Sequence, residues 1–111
     1  MTVKELKEKL NLQYICNEGL AEGKTVTGCY CGDLLSWVMG HGEEGQCLVT
    51  IMSNVNVLAV ASLLDLPCVI LAENVKPDDE FLSLAKEKGI NILSSKESIY
   101  TICTLLYEAL K

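Results

Sequence analysis

The run from residue 46 to residue 73, QCLVTIMSNVNVLAVASLLDLPCVILAE, restricts the fold more than any other part of the chain. An apolar, β-branched stretch at 47–52 leads into a polar turn, and a helix-length segment follows at 54–64. A second apolar stretch occupies 68–71. Continuous apolar strands joined by a helix of this length describe a βαβ unit, whose strands run parallel and are covered on both faces. The helix agrees, because Val55, Val57, Leu58, Ala59, Val60, Ala61, Leu63 and Leu64 leave it almost no polar face. A helix apolar around its circumference is expected to be buried on more than one side.

The flanking sequence extends this unit. Thr2 and Glu5 form a capping box for a first helix whose apolar stripe is Val3, Leu6 and Leu10. Residues 12–16 read as a strand, 17–24 as a loop, and 25–30 as a second strand. Gly32 and Asp33 then open a short helix, LLSWVM, in which Trp37 is expected in the core, and residues 40–45 connect to the central strand. Seven of the eight glycines fall between Gly19 and Gly45, which makes the first half the loop-bearing half. In the second half, Pro77 starts a helix with Asp78, Asp79 and Glu80 in its first turn and Lys86 and Lys88 before Gly89. This charge order suits the helix dipole. A short strand at 90–93 and a last helix at 97–110 complete the series. About five strands alternating with helices predict a three-layer α/β/α sandwich, mostly parallel, in one domain spanning 1–111.

Composition excludes several classes. With 50% hydrophobic and 22% charged residues the chain is not disordered. The most apolar window, 55–72, is broken by Asn56, Ser62, Asp65 and Pro67, so no membrane span is expected. The charged amphipathic N-terminus is no signal peptide, and a cytoplasmic protein is expected. The net charge is −6, and the nine cations are all lysine and mostly interleaved with glutamate. A nucleic-acid surface needs clustered basic residues, so nucleic acid is not an expected partner.

The segments TVTGCYCGDLLSWVMG, IMSNVNVLAVASLLDLPCVILAE and KPDDEFLSLAKEKGINIL resemble a DRTGG domain over nearly the whole chain, and look like its short stand-alone members. That family is similar to the N-terminal domain of HPr kinase/phosphorylase and to a domain of phosphate acetyltransferases. The resemblance implies the α/β fold shared with Mur ligase N-terminal domains and a regulatory or ligand-binding role. The naming motif is degenerate: the chain reads Glu22-Gly23-Lys24-Thr25-Val26-Thr27-Gly28, so only Thr27 and Gly28 carry over. Lys24 replaces the family arginine as a point charge only.

Three constellations stand out as candidate sites. Ser53, Asn54 and Asn56 lie where the central strand hands over to its helix, the carboxyl end at which open α/β sheets bind ligands. Helix capping alone also explains Ser53 or Asn54. Thr27 and Gly28 with Gly32 and Asp33 form a second candidate, Asp33 either capping the next helix or facing a cleft. Cys29 and Cys31 point two thiols to one side of a strand, but no CxxC pair accompanies them. Six free, reduced thiols are therefore expected, with no metal and no cofactor. His41 has no evident partner, and no paired carboxylate or activated nucleophile is visible, so an enzyme is not expected.

The reading that follows is a non-enzymatic regulatory module. It binds a small, anionic-leaning ligand through Lys24, Thr27, Gly28, Asp33, Ser53, Asn54 and Asn56, or docks on a partner protein. The alternatives are a pure self-association or interaction module, and a redox or metal-binding protein using Cys29 and Cys31. The width of the apolar faces on the helices bearing Trp37, Tyr100 and Tyr107 predicts a homodimer.

Overall fold

In chain order the elements are α1 (Val3–Lys9), β1 (Gln13–Cys16), β2 (Gly28–Cys31), α2 (Leu35–His41), β3 (Gln46–Thr50), α3 (Val55–Leu63), β4 (Val69–Leu71), α4 (Asp79–Lys88), β5 (Ile92–Ser94) and α5 (Ile99–Leu110). The computed structural model describes residues 1–16 and 23–111; most of the expected 17–24 loop, including Glu22, lies outside the described residues. One sheet has the order β1-β5-β4-β3-β2. β2, β3, β4 and β5 are parallel neighbours, and β1 joins the β5 edge antiparallel.

The parallel strands advance across the sheet in one direction. Successive crossovers of one hand then fall on one side, and α2, α3 and α4 share a core with Leu48, Val69, Leu71 and Ile92. The opposite face, Cys47, Val49, Ile70 and Leu93, packs on α1 and α5. Strand alternation sends neighbouring residues of β3 into different layers, which is why its apolar run is unbroken. This is the expected three-layer sandwich. Because the order of the parallel strands does not reverse, they have no interior switch point to open a ready-made crevice.

Thr2 and Glu5 close their expected capping box, and Gly89 ends α4 at φ 68°. Asp78, expected in the first turn of α4, is instead its N-cap and accepts from the Phe81 N–H at 2.9 Å, so the helix starts at Asp79 and not at Pro77. Four further expectations change. The second strand begins at Gly28, because Thr25 pairs antiparallel with Thr2 and the Thr27 N–H turns to the Gly45 carbonyl at 2.9 Å. α2 runs on through Gly40 to His41. α3 buries Val57, Leu58, Val60 and Ala61 but leaves Leu63 73% exposed, since it lies in an outer layer beside α2 and α4. Trp37 is 57% exposed and stacks on His41 with ring centroids 4.0 Å apart, so it is not core. No helix among the described residues is long and apolar enough to cross a membrane.

Candidate functional site

The carboxyl-terminal rim of the sheet is built around Thr50, the last residue of β3. Its side chain is fully buried, a costly place for a hydroxyl unless it is bonded. The Thr50 hydroxyl donates to Asp33 Oδ1 at 2.8 Å and accepts from the Met52 N–H at 3.0 Å. Asp33 follows β2, which pairs in register with β3, so the two strand ends bring these residues together. The expected alternative, Asp33 as the cap of α2, does not hold: the cap position falls on Leu34, whose side chain has no acceptor. Asp33 is instead an exposed carboxylate held by a buried donor.

The next turn carries Ser53, Asn54 and Asn56. Asn54 caps α3, its Oδ1 accepting from the Asn56 N–H at 3.0 Å, while the Asn54 and Asn56 side chains are exposed. Capping thus accounts for Asn54 but not for Asn56.

Lys24, Thr27 and Gly28 lie elsewhere. Gly28 pairs with Gln46, the first residue of β3, whereas Asp33 meets Thr50, the last. The rise along β3 separates the two groups by about 13 Å. Residues 28–31 are a strand and not a turn, so the seven candidates form two groups at opposite rims. Lys24 pairs with Asp65 at 3.5 Å, with both side chains largely in solvent. Thr27 packs over Gly45, where a Cβ would come within 2.5 Å of Thr27 Oγ1 and φ is +91°. Glycine is required there on both counts. Gly28 has room, since a Cβ would meet only Gln46 Cγ at 3.7 Å.

Two features escape the sequence. A polar pocket of about 380 Å³ lies at the end of β5, lined by Asn11, Asn74, Ser95 and Lys96 among others. The Glu73 and Asn74 N–H groups bond the Glu97 and Ser95 carbonyls at 2.9 Å, latching the β4–α4 loop to the β5–α5 loop. The second is a thiol group. Cys29 Sγ stands 3.8 Å from Cys103 Sγ across the β2–α5 contact, beside an apolar pocket of about 330 Å³. All six cysteines are unbridged, and Cys16, Cys47 and Cys68 are buried. Among the described residues no group of three or more His, Cys, Asp or Glu is arranged to hold a metal ion.

The family model for the HPr serine kinase N terminus matches residues 50–110, more than half of the 111-residue chain. The chain belongs to this family. The match begins at Thr50 and takes in α3, α4 and α5, so the Ser53–Asn54–Asn56 turn lies inside the HPr serine kinase N-terminus region, whereas Asp33 and the Thr27–Gly28 pair precede it. The chain is also similar in fold to part of a solved structure, the CBS and DRTGG domains of the regulatory region of Clostridium perfringens pyrophosphatase complexed with activator, diadenosine tetraphosphate. That likeness has a TM-score of 0.70 at 13% identity and covers 98% of this chain and 47% of that one. The chain therefore spans about half of that structure. The DRTGG resemblance read from the sequence is borne out as family and fold. A comparison with curated proteins finds no match.

Proposed function

We propose that this chain is a non-enzymatic, cytoplasmic regulatory module that senses a small nucleotide-like ligand at the carboxyl rim of its sheet. The observation that carries the reading is the Asp33–Thr50 pair, an exposed carboxylate fixed by a fully buried hydroxyl. An acceptor held in this way suits the hydroxyl or amino donors of a ligand. The α3 amino terminus, with Ser53, Asn54 and Asn56, suits a phosphate oxygen. Two rim loops carry the lysines Lys76 and Lys96. Membership of the HPr serine kinase N-terminus family and the fold shared with an activator-bound regulatory region support a sensing role. Lys24, Thr27 and Gly28 belong, in this proposal, to the opposite rim and do not touch the ligand.

Thermal melts with diadenosine tetraphosphate, ATP and AMP test the reading. A ligand bound to the native state alone raises the melting temperature with concentration. A rise for at least one nucleotide is expected. No rise for any of them at millimolar concentration would contradict the proposal.

A specific observation favours self-association as well. Tyr100 and Tyr107 are 81% and 69% exposed and lie seven residues apart on α5, so they share one face. Aromatic residues in such a stripe are enriched in interface cores, and we infer a homodimer through α5. Light scattering should give about twice the 12.1 kDa chain mass, and a monomer mass would refute the dimer.

A further inference from the structure

Four of the six cysteines meet on the α1/α5 face of the sheet. Cys29 and Cys47 are register partners on β2 and β3, Cys68 precedes β4, and Cys103 reaches down from α5. Cys31 projects to the same side as Cys29, two residues along β2. Cys29 and Cys31, the pair named in the redox alternative, are poorly placed for a bond with each other, because residues two apart on one strand stand roughly 6–7 Å apart. Cys103 is the better partner, with its sulfur 3.8 Å from that of Cys29 and neither residue fully buried. A disulfide needs the sulfurs to close from 3.8 Å to about 2 Å.

We propose that Cys29 and Cys103 form a reversible intramolecular disulfide by exchange with a low-molecular-weight disulfide, R–S–S–R, so that edge strand β2 and helix α5 constitute a redox-modifiable site. One cysteine thiolate attacks R–S–S–R, forming a mixed disulfide and displacing R–S⁻, which takes up the proton that thiol lost. The second cysteine attacks the mixed disulfide at the protein sulfur and releases the second R–SH. Two S–H bonds give way to one S–S bond, and R–S–S–R is reduced to two R–SH. Both sulfurs line the 330 Å³ pocket together with Thr27, Gly28, Leu106 and Tyr107. The bond would therefore change the pocket wall and pin to the sheet the helix that displays Tyr100 and Tyr107.

Acidity sets the rate. Burial, and then the nearby Cys47, push the Cys29 thiol up to about 11. Burial, with Cys29 and Cys31 close by, raises Cys103 as well. Thiolate is scarce at neutral pH, so exchange should be slow at pH 7 and still accelerating above pH 9, beyond where an ordinary thiol levels off.

The experiment exposes the full chain to oxidised glutathione, alkylates the remaining thiols and maps cross-linked peptides by mass spectrometry. A Cys29–Cys103 peptide, four alkylated cysteines and full reversal by dithiothreitol are expected. The Cys31→Ser variant should keep this cross-link, and Cys103→Ser, confirmed as folded by its melting transition, should lose it. The bridged form should melt several degrees higher because the closed loop is long. A dominant Cys31–Cys103 bridge, a glutathione adduct with no cross-link, or bridges only between chains would each overturn the proposal.

Discussion

The two rims of the parallel sheet carry candidate residues of similar chemistry, yet their residues are used in different ways. At the amino rim Lys24 meets Asp65 in an exposed ion pair, the Thr25 backbone bridges to Thr2, and Thr27 lies against Gly45. At the carboxyl rim, Thr50 and the Asn54 cap hold their neighbours still while Asp33 and Asn56 remain open to solvent. Rigid support beneath an exposed polar group is the arrangement a recognition site needs, since ordering then costs the ligand little.

Substitutions sharpen this contrast. The largest effect is expected at the amino rim from Gly45→Ala, which combines a positive φ with a methyl pressed on Thr27. A loss of roughly 2–3 kcal/mol in a urea melt is expected, with nucleotide affinity unchanged. At the carboxyl rim Thr50→Val preserves shape but removes a donor and an acceptor. It should cost about 1–2 kcal/mol and also weaken nucleotide binding, because Asp33 is released. Asn54→Ala removes the cap of α3 and should lower stability by about 1 kcal/mol. Lys24→Ala should change stability by less than about 0.5 kcal/mol, because exposed ion pairs contribute little. A Lys24 variant that lost nucleotide binding would erase the distinction between the rims.

The fold was legible because it is encoded locally. The apolar runs at 47–52 and 68–71 and the helix between them lie within one short segment, and capping signals at Thr2 and Gly89 mark helix ends independently of tertiary contacts. The misreadings came where tertiary contacts override pattern. The helix at 55–63 is apolar all round, but the number of helices on its layer leaves Leu63 outside. Trp37 looked like core by type and turned outward to stack on His41. The site was less legible. Asp33 and Thr50 are 17 residues apart, and Cys29 and Cys103 are 74 apart, so neither pair leaves a spacing motif. The division of the seven candidates between two rims follows from the register of β2 on β3, which strand alternation alone does not specify.

The most direct test of the account compares Asp33→Asn with Gly28→Ala in calorimetric titrations with the nucleotide that raises the melting temperature most. Asp33→Asn keeps the size of the side chain but removes the charge that accepts from Thr50 and that is proposed to accept from the ligand, whereas Gly28→Ala adds a methyl where there is room for it. Losing a hydrogen bond to a charged group corresponds to about a tenfold or greater loss of affinity. The account predicts that loss for Asp33→Asn and an affinity within about twofold of the parent for Gly28→Ala. Unchanged binding in Asp33→Asn, or a loss confined to Gly28→Ala, would contradict it.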